Sequence, residues 1–248
     1  MIWFATVLAH LLVLFLVIVV PLRGAMRYRV LMLRIARRPE LRAQFYWQGM
    51  LGQWLMLIPL ALAVFGLGWS AQTLGLQSPN NPFWTVFLAI VLICAIFAQV
   101  VYIRRAARTV EGRMALRQGM SGPLHMLPRT AKERALWVLL SMTAGFCEEL
   151  LYRGFLTAYL QYIFPQVNFL LAILISAALF GIGHVYQKFA GVLGTGFMGL
   201  VFGFLYFFTG SLFLPMVIHA IFDLRLLLID IRGITDNSED TPQAASLS

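Results

Sequence analysis

Residues 136–160 read LWVLLSMTAGFCEELLYRGFLTAYL. A helix of about 20 apolar residues spans the roughly 30 Å hydrocarbon core of a bilayer, and this run is long enough to do so. Yet it carries Glu148, Glu149 and Arg153 near its middle. An ionised side chain at mid-bilayer costs at least about 2.5 kcal/mol, so these groups must face protein or a wet cavity and not lipid. The stretch therefore reads as one helix of a bundle, and the rest of the chain must supply the helices that surround it.

The flanking sequence has the composition to supply them. The chain has 248 residues, of which 60% are hydrophobic and 12% charged, with a mean hydropathy of +0.82. That charge content is about half the usual share in soluble domains. We expect an all-α fold, a polytopic transmembrane helical bundle of about seven spans at 2–22, 46–69, 83–103, 136–160, 169–186, 190–208 and 211–229. The opening stretch lacks a basic leader and a small-residue cleavage site, so it reads as a retained anchor.

The net charge of +9 would suggest nucleic acid as a partner if it were spread over a soluble surface. Instead it falls in two blocks between apolar segments, Arg23 to Arg42 and Arg104 to Arg134. This is the pattern that the positive-inside rule leaves on cytoplasmic loops, so no nucleic-acid partner is expected and the bilayer itself is the partner. The same rule puts the N-terminus outside and the C-terminus in the cytoplasm of a multi-pass membrane protein. Residues 1–135 then form N-terminal spans with two basic loops, 136–230 a second membrane core and 231–248 a polar cytoplasmic tail. The arginines of 23–45 alternate with apolar residues, which suits an interfacial helix or a solvated connector. Pro123 and Pro128 interrupt any long helix in the second loop.

Ionisable residues enter the spans at three places: Glu148, Glu149 and Arg153 in the fourth, His184 at the end of the fifth, and His219 and Asp223 in the seventh. With about 1.5 Å rise per residue, Glu148 lies about 18 Å below the cytoplasmic entry, while His219 and Asp223 lie about 10 and 16 Å below the outer one. One central cavity can hold them all. Glu149 precedes Arg153 by four residues, the favourable order for an ion pair, and Glu148 points about 100° away towards the cavity. With that pair neutral, Glu148 and Asp223 leave two negative charges in a low-dielectric site, so one is protonated or a histidine cation or metal ion compensates. The lone His10 reads as a satisfied interhelical hydrogen-bond donor. Gly181, Gly183, Gly191, Gly194, Gly196, Gly199 and Gly203 read as close-packing positions. Cys94 and Cys147 read as buried apolar residues.

Among ways to cut a peptide in a membrane, a zincin site lacks its His-Glu-x-x-His motif. Ser211 sits at a span edge without supporting partners, and Cys147 points to another face than Glu148. What remains is Glu-Glu-x-x-x-Arg at 148–153, Phe-x-x-x-His at 180–184 and His-x-x-x-Asp at 219–223. Together these motifs resemble the CPBP family, the CAAX prenyl proteases and bacteriocin-processing enzymes also called Abi, over about 140–230. The resemblance implies an intramembrane endopeptidase acting on a membrane-associated protein or peptide. Glu148 would activate water with help from His184, His219 and Asp223 would stabilise the oxyanion, and Glu149 with Arg153 would hold the site in shape. The family's third motif often ends in Asn, so Asp223 must be protonated to donate a hydrogen bond, or must bind a cation. Glu148, His184, His219 and Asp223 are adequate zinc donors by type. They come from three helices without a compact spacing, which favours chemistry with no cofactor. The alternatives are a proton-coupled transporter, for which the inverted repeats are missing, and a non-catalytic membrane scaffold.

Overall fold

The computed structural model describes residues 2–119 and 126–229, so the polar tail at 231–248 and Pro123 lie outside the described residues. The chain begins with α1 (Ile2–Leu14), widens into a π turn over Phe15–Val19, and continues without a stop as α2 (Val20–Arg37). Of the two readings of the first basic block, the helix is therefore the one adopted as far as Arg37. Pro39 ends it, because the proline ring drives the preceding residue out of helical geometry, and Arg38 sits at φ −136° and ψ 83°.

Among the described residues, five helical segments are long and apolar enough to cross a membrane: Ile2–Arg37, Leu41–Leu67, Pro82–Ala106, Ala131–Ile163 and Val185–Thr209. The second is α3 (Leu41–Leu67) and the third α4 (Pro82–Ala106), followed by the short α5 (Val110–Gly119). The fourth comprises α6 (Ala131–Glu148), a π-helical stretch over Glu149–Leu156 and α7 (Thr157–Ile163). The spans expected at 169–186 and 211–229 are shorter helices. They are α8 (Phe169–Gly183) with 15 residues and α10 (Phe213–Leu224) with 12, about 22 and 18 Å long. Between them runs α9 (Lys188–Thr209). Glycines set these lengths: α8 ends at Gly181-Ile182-Gly183, and α9 ends on Gly210 at φ +66°.

Two devices fix the register of the central helix. Thr130 caps α6 by accepting from the Glu133 amide at 3.2 Å, while Glu133 accepts from the Thr130 amide at 3.0 Å, a reciprocal capping box. The other oxygen of Glu133 takes Arg42 of α3 at 2.8 Å in a buried ion pair. Higher up, Trp54 of α3 stacks on Phe146 of α6. The two helices are thus laced together from their shared entry to the level of the motif glutamates.

Small residues bring the remaining helices together. A Cβ on Gly145 would come within 2.6 Å of the Met216 carbonyl, so α6 and α10 touch backbone to backbone. A Cβ on Gly181 would meet the Val192 carbonyl at 2.8 Å, which presses α8 onto α9. Gly199 and Gly203 likewise approach Ala177 and Ile173 of α8, whereas Gly194 faces open space. His10 differs from its expected role: its Nδ1 hydrogen-bonds Thr6 of its own helix, and its ring meets Tyr159 edge-on. Cys147 is buried as expected, but Cys94 is exposed, because α4 lies at the margin of the bundle.

Candidate functional site

The π-helical stretch that follows Glu148 carries the first motif. Such wide turns are uncommon and recur at functional sites. Here the turn keeps Glu149 and Arg153 in contact at 2.9 Å, both fully buried, in the ion pair expected from their spacing. The Arg153 guanidinium also lies 4.2 Å above the Phe180 ring and 5.6 Å from that of Phe202. Aromatic faces on two other helices thus share the stabilisation of this cation. A Cβ on Gly199 would meet Arg153 Nη2 at 3.0 Å, so glycine there makes room for it.

Glu149 has a second contact that its spacing does not announce. Its Oε1 also accepts from His219 Nδ1 at 2.8 Å. A carboxylate can only accept, so Nδ1 carries the hydrogen and Nε2 is the free ring position. The imidazole is stacked on Phe202, with centroids 4.8 Å apart at 17°, which fixes its plane. Nε2 then faces Glu148 Oε2 at 4.0 Å and Asp223 Oδ2 at 3.8 Å. Glu148, His219 and Asp223 therefore converge, with Glu149 and Arg153 behind the imidazole.

The neighbouring glutamates differ in access. The Glu149 side chain is 0% exposed and that of Glu148 is 19% exposed. The Asp223 side chain, one turn below His219 on α10, is 32% exposed. Trp137 Nε1 donates to the Asp223 backbone carbonyl at 3.2 Å and anchors this end of α10 to α6.

His184 stands at the edge of the cluster. Its Nδ1 donates to the Phe180 carbonyl at 2.8 Å, which leaves its Nε2 as the free nitrogen. The rings of His184 and His219 lie on the same Phe180 ring at centroid distances of 4.8 and 6.2 Å. Among the described residues His184 makes no direct hydrogen bond or ion pair with Glu148, so it adjoins the other three without joining them. Among the described residues no group of three His, Cys, Asp or Glu side chains is gathered closely enough to stand as a metal set.

One contact to the site comes from a residue that the search for ionisable groups passes over. Gln53 of α3 donates from Nε2 to Glu148 Oε1 at 2.9 Å. An amide within the apolar run 46–69 was the available signal. Gln53 also lines a cavity of about 700 Å³, together with Gly183 and Tyr186 near the site and Arg23, Arg27 and Arg34 of α2. This cavity runs from Gln53, the hydrogen-bond partner of Glu148, to the arginine-bearing part of α2.

The family model described as Rce1-like, type II CAAX prenyl endopeptidase Rce1-like, matches residues 130–225. No curated protein and no solved structure matches the chain. The matched segment starts at the cap of α6 and runs one residue past α10, so it contains all three motifs. Residues 130–225, less than half of the chain, are thus similar to the Rce1-like type II CAAX prenyl endopeptidases, which supports the CPBP family resemblance of the three motifs.

Proposed function

We propose that the chain hydrolyses a peptide bond of a membrane-associated protein or peptide with a water molecule activated by Glu148. The observation that carries this reading is the division of the Glu-Glu pair. Glu149 is sealed against Arg153 and His219, and Glu148 keeps an oxygen open beside His219 Nε2. A general base needs a carboxylate within reach of water and held in one orientation. Glu148 takes a proton from water while His184, through its free Nε2, orients that water. The oxygen attacks the scissile carbonyl, and the developing oxyanion is stabilised by donors preset in a low-dielectric site. With its ring protonated, His219 donates from Nε2, and Asp223 donates when it carries a proton. The proton on Glu148 then passes to the leaving amine, which restores the carboxylate.

We take the reaction to be metal-independent, and no step above requires a cation. The catalytic core is 136–230, and the N-terminal spans add a wall of the access cavity. The protein works in the plasma membrane of a prokaryotic cell with its N-terminus outside and the cavity open to the cytoplasm, whose basic lining supports that orientation.

The test is cleavage of a membrane-peptide library by the purified protein in nanodiscs. Wild type should cleave, and Glu148→Gln should lower the rate by at least about 10³-fold, the scale expected when a base and the positioning it provides are both lost. A strong chelator should leave the wild-type rate unchanged. Cleavage that survives Glu148→Gln would sink the mechanism, and ion flux without cleavage would identify a transporter.

A further inference from the structure

Gln53 lies outside the segment that matches the family model, yet it is bonded to Glu148. Its amide orientation follows from chemistry: a carboxylate accepts, so Nε2 faces Glu148 Oε1 and the amide oxygen points elsewhere. That oxygen is buried and, among the described residues, has no hydrogen-bond partner, a cost that the fold bears while keeping the bond to Glu148. Gln53 also lines the cavity beside Gly183 and Tyr186, where the wall has little side-chain bulk at the glycine.

The two oxygens of Glu148 are thereby given different tasks. Oε1 is held by Gln53, and Oε2 is the oxygen that faces His219 Nε2. Fixing one oxygen stops the carboxylate from rotating and keeps the other aimed at the water.

We propose that Gln53 is a positioning residue of Glu148. The proposal rests on Glu148 being the base. It adds that the N-terminal helices complete the site instead of merely enclosing it.

The experiment uses the full chain in nanodiscs, with a quenched fluorogenic peptide taken from the library and the same peptide as an anisotropy probe. In the wild-type background, Gln53→Leu should lower kcat about tenfold with KM and thermal stability unchanged. Gln53→His keeps an N–H donor, so it should recover kcat. In the Glu148→Gln background, where the peptide is bound but not cut, Gln53→Leu should leave peptide binding unchanged. A wild-type kcat in Gln53→Leu, or a fall in peptide affinity that accounts for the lost rate, would overturn the proposal. A fall in kcat that follows lost thermal stability and is not recovered by His would also overturn it. Failure of the base assignment would appear separately, as cleavage retained by Glu148→Gln. If the wild type cuts no peptide and the probe does not bind, the proposal falls with the function.

Discussion

Glu148 and Glu149 are adjacent in the chain, and their substitutions should be told apart by stability alone. Glu149→Gln removes the counter-charge 2.9 Å from a fully buried Arg153 and leaves only a neutral amide oxygen for His219. Breaking one side of a buried ion pair costs about 3–5 kcal/mol, so this variant should unfold at a markedly lower temperature in detergent. Glu148→Gln keeps an amide oxygen at a partly exposed position and should stay within about 1 kcal/mol of wild type while losing hydrolysis. Equal destabilisation of both variants would show that the two glutamates share one structural task.

The Glu149–Arg153 pair was readable in the sequence because a four-residue spacing on a helix has one geometric meaning. The Glu149–His219 bond was not, because it depends on how far α10 is rotated against α6. Gln53 was passed over for another reason. It is uncharged, so its presence in an apolar helix does not draw notice in the way that Glu148 does.

At the scale of elements, the site is held by backbone proximity. His219 and Asp223 ride on α10, which reaches α6 across Gly145. Gly145→Val should force these helices apart, destabilise the protein by about 1–3 kcal/mol and lower activity by moving His219 away from Glu149. Gly194→Ala, where an added Cβ meets nothing within 4 Å, should be neutral or slightly stabilising, since alanine is the better helix former. Thermal unfolding of the pair, read alongside cleavage rates, checks both expectations. If Gly194→Ala is the more damaging, helix contact at Gly145 is not what matters.

Hydropathy located the helices but overran the end of α8, while α10 continues as a 3₁₀ turn over Arg225–Leu228, close to the expected end of its span. An apolar run shows that a segment prefers lipid or a core, and it does not show where the helix stops. α8 and α10 end near the residues they carry, at His184 and Asp223. The π-helical stretch was also invisible, because a widened turn leaves no mark on the apolar pattern.

At the scale of the whole molecule, the motifs drew the reading to the stretch that the family model matches, 130–225, while the first 119 residues gave only spans and charges. The structure gives those residues more to do: Arg42 clamps α6 at its cap, Gln53 reaches Glu148, and α2 lines the cavity. None of these contacts has a short-range signature, since each joins residues about 90 or more positions apart or lies on a surface between helices.

The helix from Ile2 to Arg37 has 36 residues and is therefore about 54 Å long, well beyond a roughly 30 Å hydrocarbon layer. The excess must project into the headgroups and water or be taken up by tilt. Because its arginine-bearing end is one side of the access cavity, its angle to the membrane normal sets how wide the cavity stands. Lipid composition then becomes a control on the enzyme. Reconstituted in phosphatidylcholine of increasing acyl length, the protein should change its KM by several-fold while kcat stays nearly constant, because the aperture moves and the Glu148 cluster does not. A kcat that tracks acyl length at constant KM would show instead that the bilayer acts on the cluster itself.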